Sequence, residues 1–408
     1  MHTENILIAR QPIYDLNLNV TAYELLFRPT QEQAGNPWDG DQATSQVLLN
    51  VFAEMGMGIA ADNKRAFINF TRSWLESPPP FEPGSITIEI LEDIEPTPSM
   101  VKAIQALSEQ GYQIALDDFV YKVELEPLIA LADIIKVDVL AVQGEELETL
   151  VKNVKHSKAL LLAEKVENYN IFEHCKQLGF SLFQGYFLCR PQIVEGTSIP
   201  SNKLVVMRLM GEIQNPDVSM AELETIIAND PALSVKLMRI FTTAQYATRA
   251  KVDSIRKAIV LLGLQKLKSW ACLIALSRLS DKPSELIMVT LTRAKMLELI
   301  AQKMKTEGID SYFTTGLFST IDAFFDQDKV TILETLPLEA CVNDAILKFE
   351  GESGKILQAV VDFEQGHWQQ IDWAFLRDKG IEESTMEEAY LESLNWATSI
   401  MRSLLDNH

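Results

Sequence analysis

Short apolar runs alternate with segments of helical period through the first half of the chain, and most of these runs end in a polar or acidic side chain. From Ser201 onward only helical period remains. Together these patterns predict an α/β barrel of the TIM type followed by an all-α domain. Strand and helix alternate about eight times over roughly 190 residues, within the size such barrels occupy. A doubly wound open sheet is the competing architecture, but it gathers ligands at one switch point from fewer strands than contribute here.

The strands follow in order. Thr21-Ala22-Tyr23-Glu24 ends in a carboxylate, Ala66-Phe67-Ile68-Asn69 in an amide and Ser85-Ile86-Thr87-Ile88-Glu89 in a second carboxylate. Tyr112 to Leu116 runs into the adjacent acids Asp117 and Asp118. In Ile134-Ile135-Lys136-Val137-Asp138, alternation puts Lys136 and Asp138 on the face opposite Ile135 and Val137. Leu160 to Ala163 closes with Glu164, and Phe180 to Phe183 with Gln184. Helices are expected over Ala43 to Ile59, Ser99 to Gln110, Glu124 to Ala132, Glu145 to Val154 and Asn170 to Leu178. In a closed barrel the polar strand ends converge on one rim, where barrel enzymes place their chemistry.

Two carboxylates about 4 Å apart repel by roughly 4 kcal/mol at an effective dielectric near 20. Glu24, Glu89, Asp117 and Asp118 gathered on a rim must therefore protonate, spread apart or bind a cation. For any one acid alone, capping a turn or a helix is a sufficient explanation; their joint placement is not explained that way. All-oxygen ligands with one amide, Asn69, suit a hard cation such as Mg²⁺ or Mn²⁺ and do not suit zinc.

These residues carry a family resemblance. Gln11-Pro12-Ile13 followed by Tyr23-Glu24-Leu25-Leu26-Phe27-Arg28 resembles the signature of an EAL-type cyclic-di-GMP phosphodiesterase domain, with Leu25 where the naming alanine stands. The likeness continues through Asn69, Glu89 with Glu92, Asp117-Asp118-Phe119, Lys136-Val137-Asp138, Glu164 with Glu167, and Gln184-Gly185-Tyr186-Phe187. It implies that Glu24, Asn69, Glu89, Asp117 and Asp118 are ligands of two Mg²⁺ or Mn²⁺ ions. It also implies that Lys136 holds the nucleophilic water, and that Glu164 and Gln184 complete the metal and water shell. Gln11 and Arg28 match substrate-binding positions, where a guanidinium fork fits two phosphate oxygens. Glu92 and Glu167 are the implied supporting residues. The implied reaction cleaves one phosphodiester of cyclic di-GMP to the linear dinucleotide, in a protein that forms a homodimer. One departure is plain: the family's glycine-rich loop after the paired aspartates is replaced by Phe119-Val120-Tyr121-Lys122-Val123-Glu124.

Pro191 to Pro200, with Gly196 and Ser198, reads as a linker, giving domains 1–198 and 199–408. Beyond it, Asp230 and Pro231 read as a helix cap and first turn, and Ile255 to Leu262 and Leu264 to Leu276 as two helices broken at Gly263. Ile227 to Ser234, Ser254 to Gly263 and Gly316 to Ile321 are similar to an HDOD domain. Ser319 and Thr320 stand where an HD enzyme carries its His-Asp pair, and no histidine lies between His174 and His367. The resemblance implies a non-catalytic module that takes a protein partner.

The formal charge of −21 and a pI near 4.7 oppose general nucleic-acid or anionic-membrane binding. The first 200 residues carry 14 basic against 28 acidic groups, net −14, so the deficit concentrates around the proposed cation site. Lys236, Arg239, Arg249, Lys251, Arg256, Lys257, Lys266 and Lys268 form a locally basic stretch best read as solvated helix faces. No apolar run is long enough to span a bilayer, and Cys175, Cys189, Cys272 and Cys341 lack paired spacing, the usage of reduced thiols in a cytoplasm. Two functions follow: hydrolysis of cyclic di-GMP, favoured by the retained ligand set, or a catalytically silent nucleotide sensor or interaction scaffold, favoured by the altered loop.

Overall fold

The computed structural model describes residues 6–29, 61–78, 81–190, 201–242, 254, 257, 260, 263–279 and 282–405. The helix expected over Ala43 to Ile59, the Pro191 to Pro200 linker and most of Ile255 to Leu262 lie outside these residues. Two compact units emerge. One is Met1–Leu188 together with Glu364–Gly366, the other Cys189–Phe363 together with His367–His408.

The first unit is a closed eight-stranded barrel in chain order: β1 (Ile6–Tyr14), β2 (Val20–Pro29), β3 (Arg65–Phe70), β4 (Ile86–Ile90), β5 (Gln113–Leu116), β6 (Ile134–Asp138), β7 (Leu160–Glu164) and β8 (Leu182–Gln184). The barrel is closed but not wholly parallel as expected, because β1 runs antiparallel to both β2 and β8. The physical reason is the connection. Asp15 to Asn19 make a tight turn, with Asp15 Oδ1 accepting from the Asn17 and Asn19 amides at 2.8 and 2.9 Å, and a turn that short returns the chain antiparallel.

Side-chain alternation along these strands sorts the residues into two sets. Leu25, Ile68, Ile88, Ile114, Leu116, Ile135, Val137 and Ala163 face outward into the core shared with the surrounding helices. Ile13, Ala22, Phe67, Ala115, Ile134 and Leu162, with Leu182 against them, form a separate inner cluster that fills the barrel. Helix Pro98–Glu109 covers the barrel with Met100, Ile104 and Leu107, and is capped by Thr97 accepting from the Met100 amide. Helices Gly144–Val154 and Tyr169–Leu178 do the same with Leu147, Leu150 and Val154, and with Phe172 and Cys175. The expected helix Glu124 to Ala132 is shorter: a 3₁₀ turn at Val123–Leu125 leads to helix Glu126–Ile129, since Pro127 cannot donate to a preceding turn.

The second unit is all helical among the described residues. Leu264–Leu276 is buried along almost its whole length, and Trp270 meets Phe313 and Trp396 at ring distances of 6.2 and 5.5 Å. Ser284–Met304 packs on Ile309–Phe318 and Glu383–Leu405. At Gly316 a Cβ would come within 2.5 Å of the Ala294 Cα, so only glycine permits that helix approach. Asp230 caps its helix as expected, accepting from Leu233 at 3.0 Å, and pairs with Arg278. Two members of the basic stretch are not solvated helix faces: Lys268 is buried with its ammonium on the Asn215 carbonyl, and Lys266 pairs with the buried Glu298, whereas Lys257 is exposed and the side chains of Arg239, Arg249, Lys251 and Arg256 lie outside the described residues. No helix among the described residues is long and apolar enough to cross a membrane.

Candidate active site

The inner apolar cluster dictates where the polar groups stand. Two residues beyond Ala22, Phe67, Ala115, Ile134, Leu162 and Leu182 come Glu24, Asn69, Asp117, Lys136, Glu164 and Gln184. A period of two keeps each on the same inward face, one layer nearer the C-terminal rim. Glu89 follows the buried Thr87 by the same step, and Gln11 precedes Ile13 by two because β1 runs the opposite way. The register places Asn69 beside Glu89 and Gln11 beside Glu24.

Lys136 is fully buried at the centre of this layer. Its Nζ lies 2.5 Å from Glu89, 2.6 Å from Asp117, 3.0 Å from Glu164 and 3.5 Å from Glu24. On the β8 side, Gln184 Nε2 donates to Glu24 Oε2 at 2.5 Å and to Gln11 Oε1 at 2.8 Å. Gln11 in turn donates to the Gln365 carbonyl at 3.1 Å.

One ammonium cannot balance four acids, three of them buried. Burial alone favours loss of the Lys136 proton, yet the surrounding Glu24, Glu89, Glu164 and Asp117 hold its affinity for that proton well above the usual lysine range. Burial first, and then the charge of Glu24, push Glu89 well above the carboxylate range against the pull of Lys136. Burial likewise raises Glu164 to about 8. The layer thus carries an excess of acid that protons or added cations must compensate.

The expected site residues divide into those the barrel gathers and those it does not. Glu24, Glu89, Asp117, Lys136 and Glu164 form one ion cluster, Gln184 and Gln11 extend it, and Asn69 adjoins it half-buried. Asp118 turns away: its backbone is left-handed at φ 40°, its side chain is half-exposed, and its ion-pair partner is Lys165 at 4.0 Å. Glu92 lies exposed in the turn after β4, and Glu167 is half-buried beyond β7; neither joins the Lys136 pairs. Arg28 is paired with Leu7 in β2, and its side chain lies outside the described residues.

Sequence reasoning passed over Lys165, whose only sign was a second cation directly after a proposed ligand. It also gave Gly185 no reason. There a Cβ would sit 2.2 Å from the Val166 carbonyl oxygen, because the Val166 amide bonds the Gln184 carbonyl at 2.9 Å and draws the two strand ends together.

The donor set suits a hard cation. Asn69 Oδ1, Glu89 Oε2, Glu164 Oε2 and Gln184 Oε1 are buried oxygens without a hydrogen-bond partner, an arrangement that water-free burial penalises and that an oxygen-loving ion relieves. Among the described residues no three His, Cys, Asp or Glu groups stand ready-made around a metal position, since the Lys136 ammonium fills the middle of the acids. Metal loading therefore requires the carboxylates to turn from Lys136 to the ion.

Comparison with known proteins gives the family. The EAL domain family matches residues 57–191 and the HDOD domain family residues 199–330. An uncharacterized protein of Bacillus subtilis, YuxH, is 33% identical over 408 residues, covering 97% of this chain and 99% of that protein. The cyclic di-GMP phosphodiesterase CdgJ of Vibrio cholerae is 32% identical over 402 residues, covering 97% of this chain and 93% of that protein. Among solved structures, PaMucR phosphodiesterase in its c-di-GMP complex is 19% identical with a TM-score of 0.38, over 49% of this chain and 99% of that one. This chain belongs to the EAL–HDOD family, an EAL domain followed by an HDOD domain.

Proposed function

We propose that the barrel hydrolyses one phosphodiester of cyclic di-GMP to linear pGpG with two divalent ions, Mg²⁺ or Mn²⁺. The observation that carries this reading is the inward layer of Glu24, Asn69, Glu89, Asp117, Glu164 and Gln184 around Lys136, with several buried oxygens left without partners. Glu24, Asn69, Glu89 and Asp117, with Asp118 and Glu164, are the residues that would hold the ions. Bound there, divalent cations neutralise phosphate charge and acidify a water.

The protein's own groups do the rest. Lys136, released from part of its carboxylate shell, donates to the attacking water and holds it on the rim. Gln184 keeps Glu24 oriented through its amide and fixes Gln11 beside it, at the mouth where one guanine nucleotide would lie. Arg28 pairs with a substrate phosphate through its fork. Glu92 and Glu167 support the rim from the turns after β4 and β7.

A second reading, a nucleotide sensor without turnover, is favoured by one specific feature: the Lys136 ammonium stands in the middle of the acids, within 2.5 Å of Glu89 and 2.6 Å of Asp117, where a metal ion would otherwise draw them. In either reading the helical half is a protein-interaction module. Its Ser319 and Thr320 are buried and engaged, Ser319 by Arg293 at 3.0 Å and Thr320 by Thr290 at 2.7 Å, an arrangement of core polar residues. The cysteines, none of them in a disulfide, fit a cytoplasmic protein, and we assign it there as a homodimer.

Purified protein incubated with cyclic di-GMP and Mg²⁺ or Mn²⁺, with linear product and bound nucleotide followed separately, tests both. Turnover that is lost in Glu89→Gln supports hydrolysis, and binding without turnover in the native chain supports the sensor. Absence of binding under either metal defeats both.

A further inference from the structure

We propose that Lys165 is a tethered cation that competes with the second divalent ion for Asp118, so that this chain holds one ion firmly and a second one weakly. The inference rests on the metal-site reading above and concerns how the site is filled.

Asp118 stands apart from the acids that surround Lys136, and the cation facing it is Lys165, whose Nζ lies 4.0 Å from Asp118 Oδ1. Lys165 does not reach this position by chance of a floppy side chain, because its Nζ is also held by Asp138 Oδ2 at 2.5 Å. Asp138 is anchored in turn, its Oδ1 accepting from the Leu140 and Ala141 amides at 2.8 and 3.0 Å. Register reinforces the arrangement: Asp138 and Glu164 are direct neighbours across β6 and β7, so the residue after Glu164 emerges beside Asp138.

The backbone supports the same conclusion. Lys165 has φ 56° and Asp118 φ 40°, left-handed conformations that residues with a Cβ resist. The Val166 amide bond to Gln184 and the Phe187 amide bond to Val166 hold the chain immediately after Lys165, so its backbone is pinned where glycine would be the easier choice. An observed outlier of this kind, beside proposed metal ligands, marks a position kept for its side chain.

A unit positive charge about 5 Å from a divalent ion, at the dielectric of water, weakens binding of that ion by roughly tenfold. Asp117 and Glu164, which stand on Lys136 rather than on Lys165, would offset this repulsion for an ion held by the Lys136-side acids.

The test is calorimetric titration of the full chain with Mn²⁺, without nucleotide, comparing native protein with Lys165→Ala, Lys165→Gly, Lys165→Arg and Asp118→Ala. Lys165→Ala should bind a second Mn²⁺ about tenfold more tightly while the first is unchanged. Lys165→Gly, which also relieves the left-handed backbone, should do the same and guards against misfolding of the alanine variant. Lys165→Arg should behave as native, and adding Asp118→Ala to Lys165→Ala should erase the gain. Superimposable isotherms for native, Lys165→Ala and Lys165→Gly would overturn the role of Lys165 while leaving the metal site intact. No Mn²⁺ binding by any of the folded proteins would overturn the metal site itself, and this inference with it.

Discussion

The ammonium of Lys136 meets the carboxylate of Glu89 at 2.5 Å with both side chains fully buried. This pair is the hub of the barrel's polar layer, since Asp117, Glu164 and Glu24 all converge on the same nitrogen. Removing one member of a buried ion pair leaves its partners without compensation, whereas adding a different cation can restore the balance.

Lys136→Met should therefore destabilise the barrel by about 3–5 kcal/mol in the presence of a chelator. Mg²⁺ or Mn²⁺ should recover part of that loss, because the freed carboxylates then bind metal. Thermal unfolding of native and variant protein, with and without divalent ions, reads this directly; equal melting of the variant in both conditions would count against a cation site.

Glu89→Gln removes the innermost carboxylate and keeps its shape. Turnover of cyclic di-GMP should fall by more than about 100-fold, while folding is preserved because the amide still accepts from Lys136. Product formation and a melting curve on the same sample separate these effects, and undiminished turnover would place the chemistry elsewhere.

Gly185 is the point at which β8 is tied to the corner after β7. In Gly185→Ala the new Cβ meets the Val166 carbonyl, 2.2 Å away before any shift, at φ 148°. Backbone must move, at a cost of about 1–3 kcal/mol, and Gln184 moves with it. Urea unfolding should show that loss, and metal or nucleotide affinity should fall more than stability alone accounts for.

In the helical unit, burial and then the charge of Glu388 push Glu387 up to about 7 from 4.5. A raised folded value means that the folded chain binds more protons than the unfolded one in this interval, so stability falls as pH rises from 4.5 to about 7. Glu387→Gln, which resembles the protonated acid, should match native protein near pH 5 and melt about 2–4 °C higher near pH 8. Equal melting at both pH values would show Glu387 to be freely solvated.

The strand ends were legible because alternation has a short, rigid period. Once Ala22, Phe67, Ala115, Ile134 and Leu162 face inward, Glu24, Asn69, Asp117, Lys136 and Glu164 must follow on the same side, and a one-dimensional pattern suffices to say so. Two other features departed from the pattern although their causes are local. The reversal of β1 follows from a tight turn at Asp15 to Asn19, and the break near Glu124 from Pro127, both local signals outweighed by the expectation of repeated strand and helix.

By itself, the sequence determined a barrel with an acidic, oxygen-rich inner rim and a helical unit without a histidine metal site. Only the tertiary structure decided that Lys136 sits among four acids, that Asp118 turns outward to Lys165, and that Gln184 links Glu24 to Gln11. The reason is physical: strand period specifies which face a side chain takes, whereas the distance between charges on different strands is set by register, barrel closure and the left-handed turns that end the strands.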